Sequence, residues 1–362
     1  MGRLVRPDEE LISILRSPER MAHLSLRQWD RVISQARAAG LLGRLEWFAR
    51  THEILYRTPS APRAHLRWHR TLADACARDV VSEVEVLSAL FPDSVPLLLL
   101  KGAAYVVAGF RAGNGRFFED IDVLVPERSL SEVERKLLSS GWRESHLNDY
   151  DQRYYREWTH ELPPLINPMR GTSVDIHYNI LPRVGRLVPN AKLLIEASIP
   201  VADSRPNIRT LAPADMVLHS AAHLFQNGEF ERGLRDLSDM DLLLRYFSSH
   251  DSRFWEKLHE RATVLNLERP LFFALALSAS TLATPVPREV HRSVARVVRG
   301  STKRFVLKEL FRAAMTPVHP SCDTSLARIS RFILFVRSHW IRMPVTMLLP
   351  HLLHKVRERR MS

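Results

Sequence analysis

The sequence predicts an α+β fold, a small mixed-sheet core held between N- and C-terminal helical regions. Three observations predict it. The runs Leu97-Leu98-Leu99-Leu100, Ile121-Asp122-Val123-Leu124-Val125 and Ser173-Val174-Asp175-Ile176-His177 are short, apolar and strand-like. The segments before and after them place apolar residues at helical spacing instead. At 362 residues and 45% hydrophobic content, the chain can bury a substantial core and divide into two or three domains. The expected organisation is a helical N-terminal region over 1–95, an α/β core over 96–200, a helical domain over 201–300 and a basic helical C-terminal segment over 301–362.

Each element has a local reason. Ser25-x-x-Gln28 is a capping box, Leu26, Trp29, Ile33 and Ala36 follow at helical intervals, and Gly40 ends the run. A longer helix is expected from near Ala64 to Leu90, closed by Phe91-Pro92-Asp93. Between the two acidic strands, Ser129-Leu130-Ser131-Glu132 reads as a second capping box, with Leu130, Val133 and Leu137 on one face and Gly141 as C-cap. Beyond Pro182 the strand signal fades. Helices are expected from Asp215 to Phe225, Leu234 to Phe247, Phe254 to Leu265 and Pro270 to Leu282, before a break at Thr284-Pro285-Val286-Pro287.

Asp120-Ile121-Asp122 carries the chemistry. Side chains alternate across a strand, so carboxylates at i and i+2 point to one side, about 7 Å apart. Buried carboxylates are costly unless paired, hydrogen-bonded or metal-bound, and a hard cation such as Mg²⁺ between them is the economical explanation. Asp175, in the later strand, supplies a third acid on an element that can lie beside the first. Glu119 falls on the opposite strand face from Asp120, as an edge or salt-bridge residue. His177 shares a face with Asp175, where it can touch metal or substrate or serve as a packed strand histidine. His219 and His223 have metal-ligand spacing on a helix but lack the H-E-x-x-H glutamate, and read as packing residues. Arg235, Asp236, Asp239 and Asp241 read either as acceptor-orienting charges or as a salt-bridged helix surface.

With these motifs in order, the chain resembles the nucleotidyltransferase superfamily of DNA polymerase β type, and within it a largely uncharacterised bacterial nucleotidyltransferase family. The resemblance rests on Leu100-Lys101-Gly102, Arg116 four residues before Asp120, Asp120-Ile121-Asp122-Val123-Leu124-Val125, Gly141-Trp142, His160 and Val174-Asp175-Ile176-His177. It covers roughly residues 96–182, with weaker likeness from Asp215 to Arg245. It implies a Mg²⁺-dependent transfer of an NMP group from an NTP to an acceptor, with release of pyrophosphate. Asp120 and Asp122 would hold the nucleotide-bound Mg²⁺, and Asp175 would assist a second metal or act as base toward the acceptor hydroxyl. Lys101, Gly102, Arg116 and His177 are the expected nucleotide-side residues. The family context points toward polysaccharide or natural-product biosynthesis, and a sugar phosphate, a peptide or a protein all suit the acceptor. This chain departs from the wider superfamily at the phosphate turn. Lys101-Gly102-Ala103 stands where Gly-Ser or Gly-Gly is usual, so lysine charge and backbone N–H groups must do the work of the missing hydroxyl. That departure keeps open the alternative of a catalytically inactive nucleotide-binding or scaffold protein.

Composition bounds the setting. Cys76 and Cys322 form neither a zinc pattern nor a disulfide framework, which suits a reducing cytoplasm. Met1 to Glu10 lacks an apolar signal-peptide region, and no stretch has the length of a clean membrane span. Of the +12 net charge, most lies in residues 301–362, where 12 Lys and Arg stand against 3 Asp and Glu. Phe332, Phe335, Val336 and Trp340 define an apolar helix face there, flanked by Arg331, Arg337 and Arg342, with Pro344 and Pro350 before a basic end from Lys355 to Arg360. Such a segment suits an anionic membrane surface or an acidic partner, or packs its apolar face on the protein itself. Nucleic acid is disfavoured, because these aromatics are spaced for a helix face rather than a stacking platform.

Overall fold

The computed structural model describes residues 9–145, 148–297, 300–344 and 346–348. Four helices precede the sheet: α1 (Glu10–Arg16), α2 (Leu26–Ala38), α3 (Leu42–Thr51) and the long α4 (Ser60–Leu90). The sheet region follows in the order β1 (Leu97–Leu99), α5 (Lys101–Val107), β2 (Ile121–Leu124), α6 (Leu130–Ser139), β3 (Arg143–Glu144), α7 (Asp149–Arg153), β4 (Leu165–Asn167), β5 (Thr172–His177), α8 (Ala191–Glu196), β6 (Ile199–Pro200) and β7 (Ile208–Thr210). Helices α9 (Pro213–Gln226), α10 (Gly233–His250), α11 (Phe254–Val264), α12 (Glu268–Leu282), α13 (Arg288–Val297), α14 (Ser301–Ala314) and α15 (Ser325–Arg342) complete the described chain.

The sheet is mixed, as expected, with strand order β3-β4-β5-β2-β1-β7-β6. Strand β2 lies at its centre, antiparallel to β1 and parallel to β5. All of β1 and β2 is buried, which explains their near-continuous apolar runs. A residue at the centre of such a strand has no route to bulk water except through a cavity, so Asp122 in β2 is a deliberate exception. Helix α5 packs on β2 and α9 on α5, while α10 and α12 pack on α9 and on each other.

The Ser25–Gln28 capping box forms on both sides, with the Ser25 side chain accepting from the Gln28 N–H and the Gln28 side chain returning to the Ser25 N–H. The second expected box does not form. A 3₁₀ turn over Glu127–Ser129 leads straight into α6, and Ser129 sits at φ −97° and ψ −6°, close to helical values, so its side chain caps nothing. Pro213 takes the first position of α9, where a missing N–H costs nothing. Ala283 ends α12 in a left-handed conformation before the Pro-containing break.

Helix α15 packs through a different face from the aromatic one. Its buried residues are Ala327, Ser330, Leu334 and Ser338, whereas Phe332 is 67% and Val336 51% exposed. Small residues face inward because the backbone at Gly228 (φ +83°) runs so close that a Cβ there would lie 2.2 Å from Ser338 Oγ. The flanking arginines are also committed inward. Arg331 donates to the carbonyls of Ala314 and Thr316, Arg337 to that of Phe225 and Arg342 to that of Asn227. The basic end from Lys355 to Arg360, and Pro350, lie outside the described residues. Among the described residues, no helix is long and apolar enough to cross a membrane.

Candidate active site

Parallel pairing of β2 with β5 places Asp122 opposite Asp175 in register. Neighbours in register point to the same face of a sheet, so two acids 53 positions apart in sequence become side-by-side groups. One strand further on, β1 ends at Leu99, and the N–H of the next residue, Leu100, donates to the Asp122 carbonyl and continues the ladder. Lys101 then turns into α5 with φ +43°, a left-handed conformation unusual for a lysine. That turn brings its ammonium 3.0 Å from Asp122 Oδ1.

These groups open onto a cavity of about 610 Å³. All seven residues singled out from the sequence line it: Lys101, Gly102, Arg116, Asp120, Asp122, Asp175 and His177. Their ligand atoms do not all converge equally. Those of Asp122, Asp175 and His177 lie within 4.8 Å of one another, whereas Asp120, one residue before β2, sits exposed at the rim. Asp175 Oδ1 is buried and has no hydrogen-bond partner among the described residues. An orphaned carboxylate oxygen facing a second carboxylate is the geometry a divalent cation satisfies, so the donor set fits a metal.

The charges are graded. Burial disfavours ionised Asp122, but Lys101 and His177 more than offset this and hold it well below the usual carboxylate range. Asp175 goes the other way, pushed up to about 7 by burial and by the neighbouring Asp122 charge. Burial works against a charged His177, yet Glu161 and Asp122 keep its pKa above the ordinary histidine value. Lys101 likewise overcomes its burial through Asp122. Side by side, then, stand a carboxylate fixed as an anion and one poised to exchange a proton near neutrality.

Gly102 has a packing role. A Cβ there would meet the Phe118 ring at 2.5 Å and Arg116 Nε at 2.9 Å, so only glycine lets both side chains lie against the first turn of α5. Arg116 turns inward rather than out into solvent. Its guanidinium pairs with Asp239, lies over the rings of Tyr105 and Phe118, and is lowered to about 10 by burial and by nearby Arg235. Asp239 also takes Arg44 Nη2 of α3 at 2.9 Å, and Arg44 further donates to the carbonyls of Ala112 and Asn114. Of the two readings of Asp239 and Asp241, the salt-bridged helix surface does not hold as a surface, since Asp239 is 2% exposed and Asp241 is paired internally with Arg245 and Thr284. Glu119, as read, ion-pairs with Arg232.

Two residues beside His177 carry more weight than their sequence context suggested. Glu161 forms an isolated bridge with His177 and lies within ion-pair distance of its ring, and His160 stacks near it with ring centroids 5.2 Å apart. Glu161 belongs to no regular strand, so no periodicity marks it; only its place after His160 was visible. His219, as read, is a packed histidine, lowered to about 3 by burial and by Lys101. His223 is also lowered well below its usual value by burial, but it lines the cavity beside Asn227.

Residues 25–283 match the family model described as an uncharacterised nucleotidyltransferase. The chain belongs to this family. It is a transferase of phosphorus-containing groups, and the acidic cluster of this nucleotidyltransferase lies within the matched span, while Arg342, which also lines the cavity, lies beyond it. No curated protein and no solved structure matches the chain. The match reaches well beyond the sheet. It begins at the capping box of α2 and ends just after α12, so it takes in Arg44 and Asp239 as well as the acids.

Proposed function

We propose that this nucleotidyltransferase moves an NMP group from an NTP to an acceptor hydroxyl or phosphate, releasing pyrophosphate, with Mg²⁺ as its cation. The observation that carries the proposal is the in-register pair Asp122 and Asp175, in which Asp175 Oδ1 is buried without a hydrogen-bond partner among the described residues. Asp122 and Asp175, with Asp120 at the rim, would hold the metal, which when bound neutralises phosphate charge and sharpens the nucleophile. The chain's own groups do the rest. Asp175 assists a second metal or, when not bound to one, acts as base toward the acceptor hydroxyl. Lys101 meets the triphosphate with the charge that replaces the absent turn hydroxyl, since α5 has only seven residues and a correspondingly small dipole. Arg116, fixed by Asp239, presents a rigid guanidinium to the same wall. His177 orients Asp122 through Nε2, 2.9 Å from Oδ1.

In this reading residues 96–200 are the catalytic unit, and the described residues of 1–95, 201–300 and 301–362 pack around it. The protein works in the cytoplasm, where NTPs are made, on a sugar phosphate, peptide or protein of a polysaccharide or natural-product pathway. The basic C-terminal segment makes a peripheral contact with an anionic membrane or an acidic partner, and loss of vesicle co-sedimentation on deleting residues 331–362 tests the membrane case. One observation favours a second reading, a nucleotide-binding protein without turnover: Lys101 already neutralises the carboxylate that the metal needs. Incubation with each α-labelled NTP, Mg²⁺ and cell extract separates the two. Label transferred to an acceptor by the parent protein and lost in Asp122→Asn supports catalysis, whereas nucleotide binding without transfer of any NMP supports the second reading.

A further inference from the structure

We infer that His160, Glu161 and His177 form a second metal site, distinct from the carboxylate pair, that takes a borderline divalent ion of the Zn²⁺ or Co²⁺ type. The ligand atoms of the three lie within 4.8 Å of one another. Two of the three residues carry a stranded nitrogen. His160 Nδ1 and His177 Nδ1 are both buried and without a hydrogen-bond partner among the described residues. His177 Nδ1 does lie 3.1 Å from Glu161 Oε2, but not in line for a hydrogen bond. Buried imidazole nitrogens are normally satisfied, and two left open beside one carboxylate point to a shared ligand.

The backbone holds the cluster in place. Leu162 N–H donates to the Ile176 carbonyl and Tyr178 N–H to the His160 carbonyl, so residues 160–162 are tied alongside the end of β5. Two imidazoles and a carboxylate are the donors of a nitrogen-seeking ion, not of Mg²⁺, which prefers oxygen. The other face of His177 completes the arrangement. With Nδ1 given to a metal, Nε2 carries the proton and donates to Asp122, the carboxylate–imidazole–metal relay that fixes ligand orientation at many metal centres. All three residues line the cavity, so an ion can reach them from solvent and a fourth position is left for water or a substrate oxygen. The site would lock the tautomer of His177 and so the direction in which Asp122 points.

Chelator-stripped full-length protein, titrated with Co²⁺ under a large excess of Mg²⁺, tests the site through visible absorption, without nucleotide. One equivalent of Co²⁺ bound despite Mg²⁺, with affinity lowered about tenfold or more in His160→Ala and in Glu161→Gln, is the expected result. Unchanged affinity in both variants, displacement of Co²⁺ by Mg²⁺, or no bound Co²⁺ overturns it. Should either variant fail to fold, X-ray absorption of the Zn²⁺-loaded parent protein decides: two imidazoles in the coordination shell support the site, and an all-oxygen shell refutes it. None of these readouts depends on transfer activity, so failure here leaves the proposed reaction standing and failure of that reaction leaves this site standing.

Discussion

Replacing Asp175 with asparagine should stabilise the metal-free fold while removing transfer activity. The carboxyl is pushed from its ordinary 3.8 up to about 7 by burial and by Asp122, so the folded state holds a proton that the unfolded state releases. The sign follows from linkage. Below pH 3.8 the acid is protonated in both states and carries no penalty; between there and pH 7 the penalty grows, and above pH 7 it is constant. The gap between the two values corresponds to about 4 kcal/mol as an upper figure. Asparagine keeps the shape and never ionises, so it escapes this penalty. Urea unfolding of both proteins in EDTA at pH 4, 6 and 8 should show Asp175→Asn gaining on the parent as pH rises, and added Mg²⁺ should narrow the difference by restoring the carboxylate's partner. A difference that does not change with pH, or an asparagine variant less stable than the parent at pH 8, would refute the reasoning.

Three further outcomes follow from the site. Lys101→Met removes the ammonium paired with Asp122 and should weaken NTP binding about tenfold, the worth of one charged hydrogen bond; unchanged affinity by calorimetry would place the triphosphate elsewhere. Gly102→Ala should cost about 1–3 kcal/mol in urea unfolding, because its Cβ forces the Phe118 ring and Arg116 to move, and a neutral result would show that this wall yields. Asp239→Ala should cost about 3–5 kcal/mol, since Arg44 and Arg116 are left buried without their carboxylate; a loss under about 1 kcal/mol would mean that water or Asp236 replaces it.

What the sequence revealed depended on whether a local rule decides the outcome. Strands β2 and β5 were legible because acids interrupt otherwise apolar runs, and the step from there to a paired site needed only parallel neighbours. The Ser25 box was legible because its capping partners are local. The Ser129 box has the same pattern but fails, because a 3₁₀ turn feeds its helix and takes Ser129 out of the extended conformation a cap requires. For α15, helical spacing correctly gathered the aromatics on one face, yet spacing says nothing about which face is packed; the close backbone at Gly228 admits only small residues such as Ser338. Glu161 was invisible for the opposite reason: it acts from a single bridge with no pattern around it.

The buried charges explain why the flanking helices belong to the site. Arg44 on α3, Arg116 before β2 and Asp239 on α10 come from three separate stretches of chain, and each is costly to bury alone. Brought together, the Asp239 carboxylate faces two guanidiniums, and Arg116 and Asp239 line the same cavity as Asp120, Asp122 and Asp175. Burial and then the nearby Arg235 lower both Arg44 and Arg116, while Arg235 itself is paired with Asp236. Such a wall is stable only when all three elements are present, because removing any one strands the charges of the others. A sheet alone would supply the acids of β2 and β5 without this buried charge network. The family match from residue 25 to residue 283 spans all three elements, as expected if the helices are selected together with the acids they face.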